Sequence, residues 1–316
     1  MESRTSEHSL ALPLVSKAEE NSQLPLVVNV IAKYWGEELF PASSGASPVD
    51  ARGSVLIRGI EFAESHGFVS YIYKGSIKDL KKRIDQGIPP IVIVPGLLNV
   101  MQHALIVSGY SEDEKRIMTY VAEPDAVGAI PEAKFEDDWN QEERTTIVIV
   151  PTDMRDHIDN DGVKFKRSNR LCFESEALRQ QNNADGALAK LRMAAEIDPD
   201  NAQAWCMLGS LYNDLGDRQA AACYESAIKL NPRYYLAHRG LGNYHLKKED
   251  FSKAEAAYSA AIEINPTRLG SIYKNRGIAR LRLGNNLGAK SDLLTYLELA
   301  PDALDRSSIA QALSEI

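Results

Sequence analysis

Residues 204–232 read AWCMLGSLYNDLGDRQAAACYESAIKLNP, and variants of this phrase recur through the C-terminal half of the chain. Four similar phrases (EIDPD, KLNPR, EINPT and ELAPD) carry prolines spaced 33, 34 and 35 residues apart, at Pro199, Pro232, Pro266 and Pro301. Twelve residues before each proline comes an alanine, at Ala187, Ala220, Ala254 and Ala289. Glycines recur upstream, at Gly209, Gly242 and Gly277. These coincident offsets predict an internal repeat.

The residue types explain the period as a pair of antiparallel helices. Small residues such as Gly209 and Ala220 are needed where two helices cross closely, and larger ones such as Tyr224 fill the remaining space. The proline ends the second helix because it lacks an N–H and clashes with the preceding turn. A single pair of helices cannot bury its apolar surface alone, so the pairs must stack.

This pattern resembles the tetratricopeptide repeat, and the resemblance covers residues 168–302. It implies an all-α solenoid with four repeats, followed by a capping helix in ALDRSSIAQALSEI, so that the predicted repeat domain spans residues 168–316. It also implies that the domain binds other proteins. The first repeat departs from the pattern because its first helix lacks the small residue and the aromatic residue.

The resemblance further implies that the first helix of each repeat lines a concave groove. Lysine, arginine and asparagine side chains in such a groove can clamp the carboxylates of a bound peptide. The candidate residues for a peptide-binding groove are Arg239, Asn243, Lys274, Asn275 and Arg282. The alternative, which the sequence leaves open, is that these are ordinary solvated polar residues.

The N-terminal half has a different pattern. Apolar residues at helical spacing predict helices over residues 24–36, 54–68 and 76–87. Short β-branched runs bounded by glycine and proline predict strands in PPIVIVPG, HALIVSGYS, IMTYVAEP and TTIVIVP. Helices followed by an antiparallel sheet indicate the α+β class.

This order resembles the papain-like fold of the double-glycine-leader, bacteriocin-processing cysteine peptidases. The phrases GIPPIVIV, HALIVSGYSEDEKRIMTYVAEPD and FEDDWNQEERTTIVIVP carry the resemblance, which spans residues 10–151. The charged stretch 152–167 is predicted to be a linker to the repeats.

In that family a cysteine at the start of the first long helix attacks the substrate, and a histidine activates it. Alignment on Tyr34-Trp35-Gly36 places Gln23 at the cysteine position, while His103 fits the histidine and Glu123 takes the place of the acid. Residues 1–171 contain no cysteine. The resemblance therefore implies a degenerate, non-catalytic peptidase domain and hence a peptide-binding adaptor or chaperone-like protein. The alternative is a hydrolase with a Ser22–His103–Glu123 triad.

Composition limits the other functions. The net charge of −8 disfavours nucleic-acid binding, and no apolar run is long enough to span a membrane. The start of the chain has no secretory pattern, so we expect a cytoplasmic protein, unless a leader has been removed. A homo-oligomer is a further possibility.

No spacing of histidine or cysteine predicts a metal site, no glycine-rich loop predicts a nucleotide, and no cofactor is expected. Cys206 and Cys223 are expected to pack inside the repeat helices. The acidic residues around Trp139 are expected to form a solvated helix and turn, and these residues are Asp137, Asp138, Glu142 and Glu143.

Overall fold

The computed structural model describes residues 7–15, 25–39, 55–96, 100–121, 126–159 and 161–315. The chain forms two compact units. Unit 1 consists of Met1–Ile93, Ala104–Trp139 and Arg144–Asp198. Unit 2 consists of Val94–His103, Asn140–Glu143 and Pro199–Ile316. The domain boundaries drawn from the sequence stay a prediction.

The strands are β1 (Glu7–Ser9), β2 (Phe68–Lys74), β3 (Ile91–Pro95), β4 (Gln102–Ser111), β5 (Arg116–Val121), β6 (Ala126–Pro131) and β7 (Thr145–Pro151). The helices before the repeats are α1 (Leu26–Tyr34), α2 (Val55–Glu64), α3 (Ile77–Asp85), α4 (Glu132–Asn140) and α5 (Asp156–Asp159). The helices from the repeats onward are α6 (Lys166–Gln180), α7 (Ala184–Ile197), α8 (Ala202–Asp214), α9 (Gln219–Leu230), α10 (Tyr235–Lys247), α11 (Phe251–Ile264), α12 (Gly270–Arg282), α13 (Asn286–Leu299) and α14 (Arg306–Glu315).

The strands form one sheet in the order β2-β7-β3-β4-β5-β6, and β1 pairs with β4. The pairs β2–β7, β3–β7, β4–β5, β5–β6 and β1–β4 are antiparallel. An antiparallel sheet with helices confirms the predicted α+β class for this half of the chain. The three predicted helices also form, and Ser76 Oγ caps α3 by accepting from the Asp79 amide at 3.1 Å.

Three strands, β1, β2 and β6, were not predicted, and two of them, β1 and β2, come before α3, whereas the sequence placed the first three helices ahead of every strand. Strand β2 reads FVSYIYK and comes between α2 and α3. Its Phe68 and Ile72 pack into one hydrophobic cluster, while Tyr71 and Tyr73 pack into another on the opposite face. A strand that is buried on both faces lacks the alternation of apolar and polar residues that marks a half-buried one.

The core of unit 1 lies mainly between the sheet and helices α1 and α2. Val30, Ile31 and Ile60 pack there with sheet residues that include Ile72 and Ile147. Trp35 follows α1, and its indole N–H donates to the Ile149 carbonyl at 3.1 Å. This contact fixes the end of α1 against β7.

The stretch predicted to be a linker contains a 3-10 turn (Thr152–Met154) and the short helix α5. Ile158 is completely buried in the second hydrophobic cluster of unit 1. The buried Arg83 guanidinium contacts Asp161 at 2.5 Å and donates to the His157 carbonyl at 3.3 Å. The residues of this stretch are therefore held by specific contacts in unit 1.

The repeats form helix pairs α6/α7, α8/α9, α10/α11 and α12/α13, of which the first pair belongs to unit 1. All four alanines before the prolines are completely buried. A Cβ on Gly242 would lie 2.6 Å from the Tyr258 ring, and a Cβ on Gly277 would lie 3.2 Å from Leu293. Small residues therefore stand where the two helices of a repeat cross, which confirms the packing predicted from the sequence.

Within the described ranges, no helix has both the length and the apolar character needed to cross a membrane.

Candidate protein-binding face

The first helices of successive repeats in unit 2 are neighbours, since α10 contacts both α8 and α12. We call the side chains predicted to line the groove the first-helix face, and they are Arg239 and Asn243 on α10 and Lys274, Asn275 and Arg282 on α12. Arg239 and Asn243 are four residues apart, so they share one side of α10. The face therefore extends over two consecutive repeats.

Asn243 lies at the centre of this face. Its Oδ1 accepts hydrogen bonds from Asn275 Nδ2 at 3.3 Å and from the Tyr258 hydroxyl at 2.9 Å. Tyr258 is completely buried, so its hydroxyl fixes the orientation of the Asn243 amide from below. The amide oxygen is engaged in this way, and among the described residues no acceptor is found for the amide donors of Asn243, which can serve a ligand.

Two cations of the face, Lys274 and Arg282, contact side chains of unit 2. Lys274 Nζ lies 2.8 Å from Asp305 Oδ2, at the start of the last helix. The Lys274 ammonium and the Tyr296 hydroxyl hold the pKa of the Asp305 carboxyl below its usual range. Arg282 is exposed and stacks over the Phe251 ring at 5.9 Å. A carboxylate already sits on one of the predicted groove cations, so this position accepts an anion.

Arg239 has a partner from a segment distant in the sequence that also belongs to unit 2. Its Nη1 donates to Met101 Sδ at 3.5 Å. The Met101 carbonyl in turn accepts from Arg268 Nε at 3.1 Å and from Arg268 Nη2 at 2.7 Å. One end of the first-helix face is thus covered by Met101, which Arg268 holds in place.

The expectation that Glu142 and Glu143 form a solvated turn is wrong. Both are only 2% exposed. Glu142 forms an ion pair with Arg268, and its Oε2 accepts from Gln102 Nε2 at 2.5 Å. Complete burial raises the pKa of the Glu142 carboxyl to about 7, although Arg268 and Gln102 act in the opposite direction.

Two asparagines from the ends of successive repeats also hold this turn. Asn231 Nδ2 donates to the Asn140 carbonyl at 2.8 Å and to Glu143 Oε1 at 2.5 Å. Asn265 Nδ2 donates to Gln141 Oε1 at 3.2 Å. Sequence reasoning missed this role, although the signal was present: both asparagines immediately precede a repeat-ending proline, where the other two repeats have Asp198 and Ala300.

Of the residues aligned with the peptidase site, the structure describes only His103. Ser22, Gln23 and Glu123 lie outside the described residues. His103 lies at the start of β4 and is half-buried. No hydrogen-bond partner of its ring is found in the part of the chain that the structure describes. The structure therefore does not test the Ser22–His103–Glu123 triad, which stays a prediction.

The described residues contain no cluster of three or more histidine, cysteine, aspartate or glutamate side chains that could hold a metal ion. The three cysteines are buried. Burial raises the pKa of the Cys206 thiol to about 12 and that of Cys223 to about 11, so both remain protonated thiols near neutral pH.

Comparison with known proteins confirms the repeats. Residues 176–216, 206–268 and 241–314 each match a family model of the tetratricopeptide repeat. Together these matches cover the end of α6, all of α7 and all of the later helix pairs. The resemblance of residues 10–151 to a papain-like peptidase stays a prediction.

Curated relatives match over the repeats. The cell division cycle protein 27 homolog of Caenorhabditis elegans is 34% identical over 104 residues, which is 32% of this chain and 13% of that protein. Anaphase-promoting complex subunit 3 of Schizosaccharomyces pombe is 26% identical over 34% of this chain and 16% of that protein. Human tetratricopeptide repeat protein 6 is 27% identical over 43% of this chain and 23% of that protein. The chain thus spans less than a quarter of each of these relatives.

Among solved structures, MamA from Desulfovibrio magneticus aligns with 47% of this chain and 92% of its own, at 16% identity and a TM-score of 0.42. PilF from Pseudomonas aeruginosa aligns with 47% of this chain and 69% of its own, at 20% identity and a TM-score of 0.42.

Proposed function

We propose that this chain is a non-catalytic adaptor that binds an extended, acidic segment of a partner protein on the first-helix face. The observation that carries the proposal is the hydrogen-bonded pair Asn243–Asn275. It joins amide side chains of two consecutive repeats, with Arg239, Lys274 and Arg282 placed around it on the same two helices. Amide and basic groups spaced along two helices suit the carboxylates of an extended peptide.

The contact of Lys274 with Asp305 supports the choice of an acidic ligand. It gives an internal example of a carboxylate held at 2.8 Å by a cation of this face. A partner carboxylate would replace Asp305 there, and Asp305 would return to solvent. The binding energy at this position is then the difference between two similar ion pairs, so we expect affinity to depend mainly on the Asn243–Asn275 pair and on Arg239.

The names of the curated relatives agree with a role in protein assembly, since one is a subunit of the anaphase-promoting complex. What those proteins bind is a property of each of them. For this chain the relatives support only a general class of function, which is that of a protein-binding scaffold.

The N-terminal part of the proposal is that residues 10–151 form a degenerate peptidase domain that holds a polypeptide without cutting it. The absence of cysteine from residues 1–171 supports it. So does the sequence order of helices and strands around His103. The rival proposal, hydrolysis by Ser22, His103 and Glu123, predicts an activity that disappears in Ser22→Ala and in His103→Ala.

These alternatives are separated by one assay. Purified protein is incubated with an unstructured substrate such as casein, and new amino termini are counted beside the Ser22→Ala variant. The adaptor proposal predicts no cleavage above that of the variant. Cleavage by wild type that is lost in both single variants would establish the hydrolase instead.

Binding is tested with two labelled libraries of short peptides that differ only in having Asp and Glu or Asn and Gln at the same positions. Wild-type protein is expected to prefer the acidic library. The double variant Asn243→Ala/Asn275→Ala is expected to lose that preference, while Asn286→Ala, at the exposed start of α13, is the matched control.

A further inference from the structure

Strand β6 (Ala126–Pro131) stands at one edge of the sheet in unit 1, where it pairs with β5. The Glu132 amide, which directly follows the strand, continues this pairing and donates to the Lys115 carbonyl at 2.8 Å. Backbone groups alternate in direction along a strand, so those of Gly128 and Ile130 also face β5. The backbone groups of the residues between them point the other way, out of the sheet.

Val127 and Ala129 are the residues with outward-pointing backbone groups. Within the described ranges, the N–H and C=O groups of these two residues have no hydrogen-bond partner on the outer side of β6. The Val127 side chain is 66% exposed, and Ala129 is exposed too. Among the described elements, β6 packs chiefly against β5. This edge of the sheet is therefore open to another strand.

The opposite edge of the sheet, β2, is covered. The Lys74 amide donates to the Lys164 carbonyl at 3.0 Å, and Arg170 Nη1 donates to Ser70 Oγ at 3.2 Å. Helix α6 thus packs along that edge. Proteins protect exposed edges with covering elements, lysines, prolines or bulges, and residues 126–130 of β6 contain none of these. Only the β6 edge is left as a template for pairing in the part of the sheet that the structure describes.

We propose that β6 pairs with the β6 of a second copy of this chain, antiparallel about a two-fold axis at Gly128. In this register, Val127 of each copy lies opposite the partner's Ala129. Both residues have outward-pointing groups, so each pair exchanges two N–H···O bonds and the interface contains four such bonds by symmetry. The proposal uses no residue of the first-helix face and does not rest on the proposed function.

Two residues favour this register over its neighbours. The residues on the axis form a pair without mutual hydrogen bonds, whose Cα atoms approach to about 4.5 Å, and Gly128 brings no side chain to this close contact. A shift by two residues would place Pro131 opposite the partner's Val127. Proline has no N–H, so the Val127 carbonyl would then lack a donor.

The charge and the symmetry of the edge indicate a second copy as its partner. Residues 126–131 contain no charged side chain, so two copies of β6 meet without like-charge repulsion, although the whole chain has a net charge of −8. A two-fold pairing uses the outward groups of both copies at once. Because the β2 edge is covered, the joined sheet offers no second edge of this kind, and we expect assembly to stop at a dimer.

The register is tested by cross-linking the full-length chain with oxidised glutathione. A Cβ on Gly128 would lie 3.3 Å from Thr119 Oγ1, so Gly128→Cys needs only a small adjustment. Its thiols face each other across the axis at a Cα distance that suits a disulfide, and we expect a covalent dimer. Ala129→Cys is the matched control, because its two copies lie about 7–8 Å apart on the diagonal. The three natural cysteines are buried.

The hydrogen bonds are tested by sedimentation velocity over about a hundredfold range of protein concentration. Wild type is expected to shift from monomer to dimer. Ala129→Pro removes an N–H that β5 does not use, so the monomer should fold, as circular dichroism checks, while dimerisation weakens on the order of tenfold or more. Val127→Thr keeps the branched side chain and the backbone groups, and it should dimerise as wild type does.

Wild type that stays monomeric over the whole range would overturn the proposal and leave the edge to a strand of a different protein. Equal dimerisation of wild type and folded Ala129→Pro would overturn it as well. If Ala129→Pro does not fold, the cross-linking decides, since a disulfide that forms as readily in Ala129→Cys as in Gly128→Cys contradicts pairing about Gly128.

Discussion

Asn275 Nδ2 donates to Asn243 Oδ1 at 3.3 Å and so connects the first helices of two consecutive repeats. The same oxygen accepts from Tyr258, which comes from the second helix of the repeat that contains Asn243. A buried aromatic residue of the repeat pattern thus orients a polar residue of the candidate binding face. The Asn243 amide therefore contacts both the buried packing of its repeat, through Tyr258, and the proposed binding face, through Asn275.

Tyr258→Phe tests the hydrogen bond that orients the Asn243 amide. It removes the hydroxyl that donates to Asn243 at 2.9 Å and leaves the buried ring. We expect the free energy of unfolding to fall by about 1 kcal/mol, the usual net value of one hydrogen bond. Urea denaturation measures it, and Tyr244→Phe is the control because Tyr244 is only half-buried. Equal changes in the free energy of unfolding for the two substitutions would show that the hydrogen bond of the Tyr258 hydroxyl does not stabilise the fold.

The helix-crossing glycines should differ in their tolerance of a methyl group. A Cβ on Gly242 would meet the Tyr258 ring at 2.6 Å, whereas on Gly277 it would meet Leu293 at 3.2 Å. We expect Gly242→Ala to lower the free energy of unfolding by about 1–3 kcal/mol, the range for overpacked cores. Gly277→Ala should cost less, because its Cβ meets Leu293 at a longer distance, while the gain in helix propensity is the same at both positions. The opposite ranking in thermal melts would contradict the described crossing.

The cysteines should be unreactive in the folded protein. Burial raises the pKa of Cys206 to about 12, so almost no thiolate is present at moderately alkaline pH. We expect a thiol reagent such as DTNB to label all three cysteines rapidly in denaturant and only slowly in buffer. Rapid labelling of the native chain, located at Cys206 by mass spectrometry, would show that α8 opens readily.

Binding to the first-helix face should depend on salt. Lys274 and Arg282 are partly or largely exposed, so their attraction for an acidic peptide is screened by added ions. We expect the affinity for the acidic library to fall as sodium chloride is raised, and to fall less in Lys274→Gln. Affinity that is insensitive to salt would indicate that apolar contacts, rather than these cations, hold the peptide.

The repeats could be predicted because their determinants are local and recur. Ala220 and Ala254 are small for the same reason in each repeat, which is the close crossing of two helices. Strand β2 could not be recognised by alternation, because both of its faces are buried. The partners of Glu142 could not be predicted either, since Gln102 and Arg268 are far from it in sequence. An acidic pair beside polar residues ordinarily indicates a solvated turn.

The residues of the first-helix face were named from the sequence, and their role in binding stays a prediction; their contacts could not be named. The helical period places Arg239 and Asn243 on one side of α10. The sequence gives no sign that Met101 lies on Arg239 or that Asp305 lies on Lys274. Both partners come from segments outside the helices that form the face, so they follow from the tertiary structure alone.

The central claim is that the Asn243–Asn275 pair binds carboxylates of a partner protein. The direct measurement is the affinity of the acidic and amide peptide libraries for wild type and for Asn243→Ala/Asn275→Ala, with circular dichroism to show that both proteins are folded. We predict a preference for the acidic peptides that is reduced on the order of tenfold or more in the double variant. Equal binding of the acidic peptides by the two folded proteins would contradict the claim.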